Sequence, residues 1–192
     1  MKKIMAIALL CTIPFGASVA SDDIKARAGQ SKAVVKQFMG QLVGELKAAM
    51  KDGGPVNAIQ VCNVRAPAIA KQISDKQGWD VGRTSLKLRN TANAPDAWEA
   101  GVLKKFEERR AAGESPKNMA HFEVVEANGK KSFRFMKAMA MPPLKKMPCL
   151  MCHGENIDAS ITAKLDELYP NDQARGYKQG QIRGAFTITQ PM

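Results

Sequence analysis

The stretch HFEVVEANGKKSFRFMKAMAM, residues 121–141, decides the fold. Its two arms, His121 to Glu126 and Ser132 to Met141, are rich in the β-branched and aromatic residues of strands. Asn128 and Gly129 between them are the residue types that take positive φ in a tight two-residue hairpin turn. The stretch therefore predicts an antiparallel pair. Two further segments extend it. From Trp79 to Arg89 the chain alternates, with Val81, Arg83, Ser85, Lys87 and Arg89 on one face and Thr84, Leu86 and Leu88 on the other. Gln181 to Thr189 reads as a last strand, so four or five strands are expected.

Helical spacing fills the rest. Ile24, Ala28, Val34, Val35, Phe38, Leu42 and Leu46 predict a long amphipathic helix over Asp22 to Met50, broken at Asp52-Gly53-Gly54-Pro55. Pro55 opens a second helix that runs through Cys62 to Ile73 and stops at Gly78, and Pro67 inside it predicts a kink just after Cys62. A third helix is expected over Ala97 to Ala111 and a short one over Ile161 to Leu168, ended by Pro170. The sum is an α+β layout, a central antiparallel sheet flanked by helices, with the helices placed on one side.

Lys2 and Lys3 precede an apolar run, Ile4 to Phe15, too short to span a bilayer, followed by Ser18 and Ala20. Residues 1–20 thus read as a signal peptide cut after Ala20, with export to the periplasm and residues 21–192 as one domain without a membrane anchor. Cys11 follows Leu9 and Leu10 rather than small residues, which argues against a lipoprotein. The chain has 29 Lys and Arg against 18 Asp and Glu, and losing two leader lysines leaves 27 against 18, about +9. The basic residues are scattered and the chain is expected outside the cytoplasm, so nucleic acid is not the expected partner.

Cys149-Leu150-Met151-Cys152-His153 carries the chemistry. Two thiols at this spacing can add to the two vinyl groups of a haem while the adjacent imidazole reaches the iron. One covalent haem c, held through Cys149, Cys152 and His153, is expected. A thioredoxin-like redox pair would need a βαβ setting that is absent, and a structural disulfide leaves His153 without a role. Zinc held by Cys62, Cys149, Cys152 and either histidine is the remaining rival. For the second axial position the candidates are His121, Cys62, the lysines and several methionines, of which Met136, Met139, Met141, Met147 and Met151 cluster near the motif. His121 reads as a packing residue and the methionines as soft packing around a cofactor. Cys62, with Arg65 one turn later, reads either as a ligand or as a buried core cysteine.

Ala58-Ile59-Gln60-Val61-Cys62, Ala66-Pro67-Ala68-Ile69-Ala70, Val81-Gly82-Arg83-Thr84-Ser85, Arg89-Asn90, Asn93-Ala94-Pro95-Asp96, the CxxCH pentapeptide, Gly176-Tyr177 and Ile182-Arg183-Gly184-Ala185-Phe186 follow one another in this order. The set resembles a family of exported monohaem c-type proteins with a PAS-like core, formerly a domain of unknown function. The resemblance covers nearly all of the chain after the leader. It implies a haem iron held by His153 and Cys62, and a PAS-like sheet with helices around it.

A thiolate and an imidazole on one iron favour the ferric state, so this pair implies a low reduction potential. Arg83 and Arg65 are the expected partners of the haem propionates, while Lys87 and Arg89 read as solvated. The reading is a periplasmic single-electron carrier or redox sensor with an unidentified redox partner. A gas-sensing module in which an axial ligand is displaced is the alternative. An enzyme is not expected, because no distal acid-base pair accompanies an open iron position.

Overall fold

The computed structural model describes residues 16–192, with side chains from Ser21 onward. Ile4 to Phe15 and Cys11 lie outside the described residues, as do the side chains around the expected cut after Ala20. Among the described residues no helix is long and apolar enough to cross a membrane.

Helix α1 (Gly16–Gln60) is two helices joined at Gly53 (φ −137°, ψ 17°) and Gly54 (φ 69°, ψ −163°), with Pro55 opening the second part. The positive φ of Gly54 suits a residue without Cβ. The helix then widens into one π turn, Val61–Arg65, in which the Ala66 N–H reaches the Val61 carbonyl, before α2 (Ala66–Gln77) resumes. Pro67 explains the widening: it has no N–H to give Asn63 and its ring crowds that carbonyl, so the turn takes one extra residue. Cys62 sits inside the widened turn. Gly78, left-handed at φ 67°, closes α2 with its N–H on Ser74.

Four antiparallel strands, β1 (Asp80–Thr84), β2 (Ala120–Ala127), β3 (Lys130–Ala140) and β4 (Ile182–Pro191), stand in the order β1-β4-β3-β2. Ala127 pairs with Lys130 across Asn128 (φ 52°) and Gly129 (φ 70°), the two-residue turn that the sequence predicts. The expected first strand, Trp79 to Arg89, is shorter. Ser85 Oγ donates to Arg183 O (2.7 Å) and accepts the Lys87 N–H, which turns the chain out of the sheet and leaves Lys87 and Arg89 in a loop. α3 (Ala97–Ala111) starts with Asp96 and Glu99 capping each other's backbone N–H.

The helices cover both faces rather than one. Phe133, Phe135, Phe186 and Ile188 meet Phe38 and Leu42 of α1 and Ile69 and Ile73 of α2. Met136, Ala138, Ile182 and Ala185, on the opposite face, meet Val102, Leu103 and Phe106 of α3. The cause is that β3 and β4 are apolar on both faces in their central stretch, and each face needs cover. Each buried Phe or Leu contributes roughly 1.5–3 kcal/mol. The exposed pairs, such as Lys71 with Asp75, contribute about 0–1. Packing, not surface charge, holds the helices on. Outer strand β2 leaves Phe122 and Val124 each 40% exposed.

Between β3 and β4 the register slips. Met139 faces Gly184 and Ala140 faces Ile182, so Arg183 has no partner on β3. Such a bulge bends a strand and re-aims the extra side chain. It is possible here because a Cβ on Gly184 would stand 2.2 Å from the Thr84 carbonyl oxygen. Gly184→Ala is accordingly expected to lower stability by roughly 1–3 kcal/mol, read as a fall in thermal midpoint. Gly44→Ala, in α1 with nothing within 4 Å of the new Cβ, is expected to raise stability by about 0.5–1 kcal/mol.

Candidate functional site

Prolines 142, 143 and 148 keep the chain irregular after β3, and the single-turn helix α4 (Cys149–His153) begins directly after Pro148. Positions i, i+3 and i+4 share one helix face, so Cys149, Cys152 and His153 stand together. His153 is fixed from behind: its Nδ1 lies 2.7 Å from the Ala174 carbonyl oxygen. A carbonyl can only accept, so Nδ1 carries the proton and Nε2 keeps its lone pair. Burial, together with the Arg183 and Arg89 charges, holds the imidazole well below the usual histidine pKa. It is neutral at pH 7, the form that binds a metal. Burial likewise pushes Cys149 and Cys152 each up to about 11, so both are thiols, and none of Cys62, Cys149 and Cys152 is in a disulfide.

Two adjoining spaces open beside α4, about 970 Å³ and 500 Å³ including the part open to solvent. Both are lined by Leu46, Cys62, Arg89, Cys149, His153 and Tyr169. Methionines 39, 139, 141 and 147 line the larger, and methionines 50 and 151 the smaller. The lining is mostly apolar with a few polar groups, the usual build of a cofactor pocket. The π turn brings Cys62 here from one end of the chain and α4 brings His153 from the other.

Three guanidinium groups also reach the cleft, and they differ in partners. Arg89 is 7% exposed and Asp172 1%, and they form a two-point ion pair (Nε to Oδ1 3.1 Å, Nη2 to Oδ2 3.0 Å). Arg89 also donates to the Cys152 carbonyl (2.6 Å) and, more weakly, to that of Ala174 (3.3 Å), and its Nη1 lies 3.5 Å from His153 Nε2. It thereby ties the motif to the segment that orients His153. Arg83 and Arg183, by contrast, have no carboxylate partner among the described residues. Arg183 donates to Ser85 Oγ (2.8 Å), and Arg83 lies over the Phe38 ring (5.7 Å). Burial lowers both guanidinium pKa values from a level so high that both stay charged.

Cys62, Cys149 and His153 thus line both spaces, Cys152 the smaller and Arg83 the larger. Arg65 lines neither: it is 54% exposed and its Nε and Nη2 are held by the Glu45 carboxylate at 2.7 and 2.9 Å. The helix turn that carries Cys62 inward carries Arg65 outward. Arg89, whose sequence context predicts a solvated side chain, is among the most buried charges, and Arg183 carries no sign of a role in its own residue type. The glycine after Arg183, marking a bulge, is the signal that points to it. Met136 packs against α3 on the far face, and His121 lies beside Trp98 and Glu123, away from the cleft. Among the described residues no three His, Cys, Asp or Glu side chains are grouped so as to hold a metal ion by themselves.

A family model described as Tll0287-like matches residues 17–191. Among solved structures, that of the cyanobacterial heme-protein Tll0287 is similar, with a TM-score of 0.64 and 22% identity over 87% of this chain and 96% of that one. At this identity the likeness establishes a common fold. No curated protein matches the chain.

The buried ion pair sets a pH dependence. Burial raises the Asp172 pKa, but hydrogen bonds from Arg89, Arg175 and the Ala174 N–H, with the Arg89 charge, outweigh it and leave the pKa below its usual 3.8. A carboxyl depressed on folding stabilises fully above its unfolded pKa, and the gain is lost as pH falls through the folded value. Asp172→Asn is expected to cost about 3–5 kcal/mol at pH 7, since it leaves Arg89 buried and unpaired. Denaturant titrations at pH 7 and pH 3 check this: the deficit of the variant must shrink at the lower pH.

Proposed function

The chain belongs to the Tll0287-like family, and from this we propose that it binds one haem in the cleft between α1 and α4. Cys149 and Cys152 hold the haem as thioethers, and His153 and Cys62 bind its iron. The protein carries single electrons, or reports redox state, in the periplasm. The observation that supports this is the convergence of three cysteines, one oriented imidazole and two uncompensated guanidinium groups on two adjoining apolar spaces.

The donor set suits haem better than a bare ion. Its thiols and imidazole line an extended cleft rather than enclosing a point. Two cationic groups without acidic partners suit the two propionates of a haem, so Arg83 and Arg183 are their proposed partners. When bound, haem supplies a one-electron couple, and an imidazole and thiolate pair favours its ferric form. The protein's own residues do the rest. The Ala174 carbonyl orients His153, Arg89 holds the Cys152 backbone, and the methionine and leucine walls exclude water, which strengthens every charge interaction inside. The leader-like residues 1–20 support export, and the free Cys149 and Cys152 thiols are the form that haem attachment needs.

Produced in a host that assembles c-type cytochromes, the mature protein is expected to weigh one haem more than its amino acids and to keep colour under denaturing electrophoresis. Loss of that mass in Cys149→Ala with Cys152→Ala is required, and a colourless wild-type protein overturns the reading. Cys62→Ala is expected to change the ferric low-spin absorption and electron-spin spectra; identical spectra remove Cys62 from the iron. Carbon monoxide added to the reduced protein is expected not to bind quickly, whereas fast binding supports a gas-sensing role.

A further inference from the structure

Beside the cofactor cleft lies another, about 1340 Å³ including its open mouth, walled by α1, the turn at Pro116–Asn118, the end of β3 and the loop that follows. Met39, Met139, Ala140, Met141 and Pro142 line both clefts. The floor is apolar, completed by Val35 and Phe186. The rim holds five lysines, Lys32, Lys36, Lys117, Lys137 and Lys146, and no aspartate or glutamate lines it. Lys137 is fixed in place, donating to the Lys117 (2.7 Å) and Met119 (3.1 Å) carbonyls. The other four are exposed and have no carboxylate partner among the described residues.

Elsewhere on the surface many cations are paired, as Arg109 is with Glu114, Lys164 with Glu167 and Lys178 with Glu155. Here five like charges from four segments, two of them on α1, encircle an apolar hollow, an arrangement that repels itself until acidic groups arrive. A small monoanion would engage one or two ammonium groups and leave the others unanswered. A surface with several carboxylates around an apolar side chain answers all of them and fills the floor, the pattern of a central anchor with a polar rim.

We propose that this cleft docks an acidic segment of a partner protein, its carboxylates on the lysine rim and an apolar side chain on the floor. Resting on the haem reading above, this is the redox partner, because the shared methionine wall sets the docked segment next to the cofactor cleft.

The test uses the haem-loaded full chain and a fluorescent peptide, Glu-Glu-Phe-Glu-Glu, followed by anisotropy at low salt. Saturable binding is expected, weakened about tenfold or more by the triple variant K36E/K117E/K146E and by added salt. K104E/K105E, on the exposed side of α3, is expected to leave it unchanged. Circular dichroism checks that the variants are folded. Equal binding by the triple variant, equal loss in the α3 variant, or equal binding of a glutamine version of the peptide overturns the proposal. So does binding of laurate or of phosphatidylglycerol vesicles where the peptide fails. Haem absorbance on the same samples separates the two readings: peptide binding without haem overturns only the haem assignment, and haem without peptide binding overturns only the docking.

Discussion

A buried ion pair, Arg89 with Asp172, is the interaction on which the site depends. It joins three stretches that no strand or helix joins: the loop after β1, the motif helix α4 through the Cys152 carbonyl, and the segment ending in Ala174 that orients His153. A charge in this position is stable only while its partner is present, since desolvating an unpaired guanidinium costs several kcal/mol. The pair therefore adds little net stability yet fixes one geometry. Asp172 is itself shared with Arg175, which bonds Asp166 of α5 (Ala159–Leu168), so the network runs from the cleft to the surface.

Around that centre the sheet acts as a frame. Phenylalanines hold α1 to one face, α3 covers the other, and the bulge at Gly184 turns Arg183 out of the ladder toward Ser85 and the cleft. On the α1 side the π turn does for Cys62 what the bulge does for Arg183. Each is one surplus residue in a regular element, and each brings a side chain of the proposed site to the cleft.

What the sequence disclosed was what depends on neighbours along the chain. The Asn128-Gly129 turn, the break at Gly53-Gly54 and the α3 boundaries follow from backbone preferences of a few residues, and the structure has them; where a kink is expected beside Pro67 it has a one-residue widening of the helix. That Cys149, Cys152 and His153 stand together is legible for the same reason, because the three lie within one helical turn. What stayed hidden depends on distant partners. Arg89 and Asp172 are 83 residues apart, and nothing local distinguishes a buried arginine from a solvated one. Alternation beyond Thr84 suggested a longer strand, whereas Ser85 spends its hydroxyl on Arg183, 98 residues away. Arg65 faces Glu45 and solvent rather than the cleft, because a one-residue widening of the helix changes which side chains share a face.

The outer strand β2 has its own consequence. It ends the sheet, so its free backbone groups and the half-exposed Phe122 and Val124 form a ready template for a strand of another molecule. Glu123 and Glu126 place charges along that edge, a device that opposes edge-to-edge pairing. The opposite border, β1, is only five residues long. Resistance to aggregation is thus written into the margins of the sheet, apart from anything the cleft does.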